Sequence, residues 1–312
     1  MSVVKLLSRI VSPTDQHCRT NKDGNVELAS TLHDHTYGIT SDPLTQFACV
    51  FSALIHDVDH QGVPNSQLVL EGSPLISLYK GKSLAEQNSV DLSWDLYMQD
   101  QFDDLRKVIT ATESEMDHFR HLVVNSVMAT DIMDKDLKAL RNARWEKAFS
   151  KDSFLKESSQ VNKNRKATIV IEHLIQASDV AHTMQHWHIY RKWNENLFKE
   201  MYYAYKAGRS EKNPAEFWYN GEMGFFDFYI IPLARKLSDC GVFGVSSDEY
   251  LSYAVKNREE WEHRGQELVA SMIAKIDASY PKKAKEEVEV DTEPSSSGAE
   301  GSTEEADQPE TE

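Results

Sequence analysis

The segment His56-Asp57-Val58-Asp59-His60-Gln61-Gly62-Val63-Pro64-Asn65 gathers imidazoles and carboxylates at close spacing, with His60 one helical turn beyond His56. Imidazole plus carboxylate is a ligand set for Zn²⁺, Mn²⁺ or Fe²⁺, and the carboxylate can bridge to a second, harder ion such as Mg²⁺. If the apolar helix before this segment continues, Asp57 falls on the stripe of Val50 and Leu54. An ionised carboxylate there is costly unless a cation or strong donors meet it. A bare His-Asp pair at a helix end needs no metal, and the chain supplies a control. His33-Asp34-His35 repeats the pair inside the polar stretch LHDHTYGITSDP, with no stripe behind it, and reads as a loop. The second candidate is Asp179, which follows Ile171 and Ile175 at i+4 spacing, with His182 and His186 continuing the face. Alone, such a carboxylate is met equally well by an Arg or Ser in a core. With His56 and Asp57 it supplies a third ligand from a distant helix.

These residues need elements to hold them, and the chain reads as helical. Gly and Pro number only 13 and 9 in 312 residues, and apolar residues recur at three- and four-residue steps. Val3, Val4, Leu7, Ile10 and Val11 form one stripe, Leu44, Phe47, Phe51 and Leu54 a second, Ile171, Leu174, Ile175 and Ser178 a third. Others run through 122–133, 187–205, 225–237 and 250–276. The expected fold is a multi-helix, all-α domain over 1–281. Residues 150–166 and 206–216 read as polar loops, with Gly208 as a helix stop. The tail 282–312 lacks aromatics, is rich in Glu, Ser, Thr and Pro, and is expected to be disordered. The first helix starts abruptly on apolar Val3 and Val4 with Ser2 its only capping residue, which suggests further sequence upstream.

Composition excludes other classes. A hydrophobic share of 40% with six Trp, twelve Tyr and twelve Phe rules out a fully disordered chain or a small disulfide scaffold. The net charge is −16, but eleven acidic and no basic residues lie between Glu286 and Glu312, so the first 285 residues carry only about −5. Nothing here offers the clustered Lys and Arg that nucleic-acid binding requires. Cys18, Cys49 and Cys240 are odd in number and far apart, as reduced thiols are. No apolar run approaches the roughly 18 residues of a membrane span, and Lys5 and Arg9 interrupt the apolar start that a signal peptide would need.

The pattern HDxxHxGxxN resembles the metal-site signature of the class I 3′,5′-cyclic nucleotide phosphodiesterases. Similar segments follow in order: Leu84-Ala85-Glu86-Gln87-Asn88, Ala129-Thr130-Asp131, Ala177-Ser178-Asp179 and Gly224-Phe225-Phe226-Asp227-Phe228. The resemblance spans about residues 1–275 and implies specific roles. His56, Asp57 and Asp179 would bind a first metal, usually zinc, and Asp57 would bridge to a second, usually magnesium, with manganese an alternative. Two such ions acidify a shared water and neutralise charge on the cyclic phosphate that it attacks. His60 and Glu86 would orient the waters around the metals. Phe225 would stack on the purine, with Leu197 and Val180 as apolar walls, although an aromatic in GFFDFYIIPL serves equally as core.

Two departures shape the expected function. The family carries an earlier HNxxH motif, whose first His is the general acid and whose second completes the first metal's ligands. Residues 1–55 hold only His17, His33 and His35, without that pattern. The expectation is that Met1 is an internal methionine of a longer protein, with a degenerate enzyme or binding module as the alternative. The second departure is Glu222, where the family has a Gln that holds the base edge. An ionised Glu only accepts hydrogen bonds, which suits guanine's N–H donors better than adenine's mixed edge; a Glu pointing to solvent at a helix start is the competing reading. The sequence thus points to hydrolysis of cyclic nucleotides, cGMP favoured over cAMP, to 5′-monophosphates in signalling. Hydrolysis of nucleotide mono- or triphosphates by another HD-type enzyme fits less well, since Gly62, Asn65, Glu86 and Phe225 then go unexplained. Upstream regulatory or cyclase domains would place this domain in the cytosol or on the cytosolic face of a membrane.

Overall fold

The computed structural model describes residues 2–11, 32–149, 160–243 and 247–279, and among them every regular element is helical. The order is α1 Ser2–Val11, α2 Pro43–Ile55, α3 Asn65–Leu70, α4 Leu75–Tyr79, α5 Leu84–Tyr97, α6 Asp103–Ile109, α7 Glu113–Met128 and α8 Lys135–Phe149. Then come α9 Gln160–Asp179, α10 Trp187–Lys206, α11 Pro214–Phe225, α12 Ile231–Asp239 and α13 Ser247–Ser279. Met1–Met272 form one compact unit and Ile273–Glu312 a second, whose described residues are the last turns of α13. The tail 282–312 lies outside the described residues, as do Cys18 and His17.

Local chemistry sets the helix ends. Asp42 accepts from the Thr45 N–H at 3.1 Å, and Pro43 opens α2 at a position where no N–H is needed. Thr112 and Glu115 form a reciprocal capping box on α7. Asn213 caps α11 ahead of Pro214, and Gly208 takes φ 73° just after α10, as expected of a helix stop. Pro232 lacks an N–H for the Phe228 carbonyl. The chain widens there into a π turn, Phe226–Ile230, in which Ile231 N–H reaches back to Phe226.

Three expectations need correcting. Leu32–His35 is helical rather than loop. Residues 160–166 belong to α9: Lys163 pairs with Asp34 at 2.7 Å, and the Lys166 ammonium lies 5.7 Å from the Tyr37 and Phe149 rings. Polar composition hid a helix held by tertiary partners (residues 150–159 are not described). In α2 the buried face is Thr45, Ala48, Cys49, Ser52 and Ile55, whereas Leu54 is 78% exposed and Val50 38%. These small residues let α2 lie close along α7. Around that seam, Phe119 is fully buried, with the rings of Phe47, Phe51, Trp94 and Tyr97 within 6.1 Å.

The core sits around α9. Residues 169–177 are buried without a break, including Glu172 and His173. A helix enclosed on all sides must satisfy its polar groups internally. Arg144 forms an ion pair with Glu172, His173 Nδ1–H donates to the Ile169 carbonyl at 2.7 Å, and Gln176 donates to the Ala129 carbonyl at 2.9 Å. Asp179 is the last residue of this helix, so the core delivers it to a fixed place.

One packing test follows from Gly265 on α13, where an added Cβ would sit 2.8 Å from ring carbons of Trp261 and Tyr219. Both rings are held, since Trp261 Nε1–H donates to the Tyr219 carbonyl at 3.1 Å and the Tyr219 hydroxyl to the Glu262 carbonyl at 3.0 Å. Alanine gains up to about 1 kcal/mol of helix propensity, while overpacking costs about 1–3 kcal/mol. Gly265→Ala is therefore expected to lower the melting temperature, and an unchanged or higher value would show that the rings yield freely.

Candidate metal centre

Two helix C-termini meet at the candidate site. α2 ends at Ile55 with His56 as its cap, and α9 ends at Asp179. The unpaired carbonyls of a helix C-terminus carry roughly half a negative charge, and here two such ends are joined by two carboxylates. His56 Nε2 lies 3.2 Å from Asp57 Oδ2 and 3.4 Å from Asp179 Oδ1. One ligand atom from each of the three residues falls within 4.8 Å of the others.

The fit of this group to a cation can be judged from His56. Its Nε2 is buried and lacks a well-formed hydrogen bond. Its Nδ1 faces the Ala53 carbonyl at 3.1 Å, which fixes Nδ1 as the protonated nitrogen of the neutral ring and Nε2 as the lone pair. When the ring is neutral, that lone pair and two carboxylate oxygens converge on one small volume with no donor between them. A divalent ion satisfies all three. Without one, Asp179 and then Asp57 push the His56 pKa up to about 10, against the opposing effect of burial. The same imidazole holds the Asp57 carboxyl below its ordinary value.

The loop after α2 is shaped by the rest of the motif. Asp59 takes the left-handed conformation, φ 62°, which Asp tolerates better than most residues. Its carboxylate accepts from Asn88 at 3.0 Å, and Ser89 donates to the Val58 carbonyl at 2.7 Å. Gly62, φ 70°, donates its N–H to His60 Nδ1 at 3.2 Å, so His60 carries its proton on Nε2. Asn65 serves two masters: its oxygen accepts the Ala85 N–H at 3.0 Å, and its amide donates to Glu86 at 2.9 Å. Ser83, the cap residue of α5, is turned to Asp131 instead, at 2.6 Å. Burial, in turn, raises the Glu86 pKa.

Asp57, His60, Glu86, Asp179 and Leu197 line one cleft of about 380 Å³. His56 faces a smaller hollow of about 120 Å³ behind it, with Asp179 shared by both. Val180, Glu222 and Phe225 are not brought to that cleft. Val180 is buried just past α9, and Phe225 stacks on Tyr229 at 5.3 Å. Glu222 does not point to solvent: its carboxylate is buried, accepts from the Tyr190 hydroxyl at 2.7 Å, and has its pKa raised by burial. Sequence reasoning missed Glu200 and Met201, which close the cleft from α10. It also missed Arg209, which donates to both oxygens of Glu71 (2.9 and 2.8 Å) and to the Gln61 carbonyl at 3.0 Å, clamping the loop after α2. No local pattern signals that residue, since its partners lie far away in the chain.

A family model described as 3′5′-cyclic nucleotide phosphodiesterase matches residues 28–242. The dual specificity calcium/calmodulin-dependent 3′,5′-cyclic nucleotide phosphodiesterase 1B of Bos taurus is 24% identical over 204 residues, which are 62% of this chain and 34% of that protein. The corresponding phosphodiesterase 1C of Mus musculus is 22% identical over 231 residues, 68% of this chain and 30% of its own length. The match thus spans about a third of these relatives. The phosphodiesterase domain of the Salpingoeca rosetta rhodopsin phosphodiesterase has a similar fold, with TM-score 0.57, 20% identity, and coverage of 88% of this chain and 83% of that one.

The geometry at His56 generates a pH test. Because its folded pKa is raised, its stabilising effect in ion-free protein is full below the unfolded value of about 6.5 and is lost as pH rises toward about 10. The melting temperature of ion-free protein should fall more steeply over that range than that of His56→Gln. At pH 8, binding a divalent ion should expel about one proton, measurable by calorimetry in buffers of differing ionisation enthalpy. Binding without proton exchange would show that the ring is not a ligand.

Proposed function

Since this chain belongs to the 3′5′-cyclic nucleotide phosphodiesterase family, we propose that it is the hydrolytic core of a longer signalling protein that converts 3′,5′-cyclic nucleotides to 5′-monophosphates. The observation that carries the reading is the convergence of His56, Asp57 and Asp179 at the edge of a cleft that also holds His60 and Glu86. In this reading His56, Asp57 and Asp179 would hold a first divalent ion, zinc by the family resemblance, and Asp57 would also serve a second, magnesium or manganese. Such ions neutralise phosphate charge and lower the pKa of water. Water adds to phosphorus, the P–O3′ bond breaks, and the leaving O3′ takes a proton. That proton would come from the HNxxH motif expected upstream.

The protein's own groups have separable tasks. His60, with its proton on Nε2, donates into the cleft, while Glu86, held by Asn65, accepts; together they fix how water and phosphate oxygens lie. Leu197 supplies an apolar wall, and Phe225 and Val180 are assigned to the base side. Glu222 is the proposed reader of the base; since it lies outside the cleft, this reading requires the base to reach past Leu197 to the Tyr190–Glu222 pair. When ionised it offers only acceptors, which favours cGMP; when protonated it gains a donor and treats cAMP more evenly. Upstream sensor or cyclase segments, with this domain in the cytosol, fit the partial coverage of the relatives and the rhodopsin fusion among the structural neighbours. No described helix is long and apolar enough to cross a membrane.

Two experiments test the reading in the full-length gene product. Asp57→Ala should reduce cyclic nucleotide hydrolysis by at least about 10³-fold, since it removes a ligand common to both ions; retained turnover would refute the two-ion assignment. In the wild type the cGMP/cAMP ratio of kcat/KM should rise with pH as Glu222 ionises, and Glu222→Gln should lower the ratio and flatten its pH dependence. An unchanged ratio would mean that this residue does not read the base.

A further inference from the structure

Behind the wall of the main cleft lies a second hollow of about 130 Å³, bounded by α8, α9, the π turn and α12. Ile132 belongs to both walls. The charged side chains that line it at neutral pH are Lys138, Arg141 and Lys236, with no carboxylate among them. Arg141 is 8% exposed, and two of its five N–H groups are used, one on the Met128 carbonyl at 3.1 Å and one on the Asp131 carbonyl at 2.7 Å. Lys236 is partly buried, donates to Asn142 Oδ1 at 2.7 Å, and lies 5.3 Å from the Trp145 ring centroid.

The nearby acids are occupied elsewhere. Glu172 is paired with Arg144. Asp131 accepts from Ser83 and from the N–H groups of Met133 and Asp134. Glu146 reaches Lys236, and Asp179 reaches Tyr229, only through their fields, and neither lines the hollow. The wall also includes Tyr229, whose hydroxyl is buried without a hydrogen-bond partner. A buried, unpaired hydroxyl beside three cations is a donor waiting for an acceptor.

We propose that this hollow is a binding site for a free tetrahedral oxyanion of phosphate size, held by Lys138, Arg141 and Lys236 and by the Tyr229 hydroxyl. The hollow shares only Ile132 with the lining of the main cleft, so the two sites are distinct. Its anion would sit against the same Asp131–Ile132 segment that walls that cleft, and Arg141 would touch both.

The test is thermal unfolding of the chain with inorganic phosphate titrated against chloride at fixed ionic strength. The wild type should show a saturable rise in melting temperature. Lys138→Gln/Lys236→Gln should weaken the apparent phosphate affinity about tenfold or more. Tyr229→Phe should raise the melting temperature without phosphate, because it removes an unpaired buried group, and should weaken phosphate binding several-fold. Asp57→Ala/Asp179→Ala, which empties the main site of its ligands, should leave the phosphate response intact. The proposal fails if phosphate gives no saturable shift, if the lysine variant responds like wild type, or if the response disappears with the two aspartates.

Discussion

The arrangement rests on an electrostatic debt at one point. The C-termini of α2 and α9 bring the negative ends of two helix dipoles together, and Asp57 and Asp179 add two carboxylates around a single imidazole nitrogen. Mutual repulsion opposes this gathering, although both carboxylates keep contact with solvent, and a cation relieves it. A proton on His56 partly offsets the charge, and a divalent ion offsets it more fully. The surrounding structure keeps these groups from moving apart.

That restraint can be traced outward. α9 is enclosed over residues 169–177, and its buried Glu172, His173 and Gln176 each have a partner, so Asp179 is carried on a rod that cannot slide without breaking them. Asp57 follows α2, whose small buried residues seat it closely on α7. The loop between the two halves of the motif is then pinned four times: Asn88 on Asp59, Ser89 on Val58, Asn65 across Ala85 and Glu86, and Arg209 on Gln61. Each pin joins segments distant in sequence. The cleft is therefore a property of the packed domain rather than of the motif alone.

This division explains what the sequence could disclose. HDVDHQGVPN was legible because its residues are consecutive and chemically unusual, and Asp179 because two isoleucines at helical spacing lead to it. The all-helical class followed from the same periodicity. The buried face of α2 was misjudged because large apolar residues outrank Thr, Ala, Cys and Ser in any hydrophobic count, although close helix contact prefers the small ones. The start of α9 looked like loop because Lys163 and Lys166 find their partners near Asp34 and Tyr37, more than a hundred residues earlier. The Tyr190–Glu222 bond was invisible for the same reason: it draws Glu222 into a buried polar network and away from the solvent that a helix start suggested.

The most direct measurement is electron–nuclear double resonance of the chain loaded with one equivalent of Mn²⁺. The account expects a ¹⁴N coupling from one directly bound histidine, absent in His56→Ala and strongly altered in Asp179→Ala. A spectrum with water ligands alone, or one in which the nitrogen coupling survives His56→Ala, would contradict the claim that these two helix ends are built around a cation.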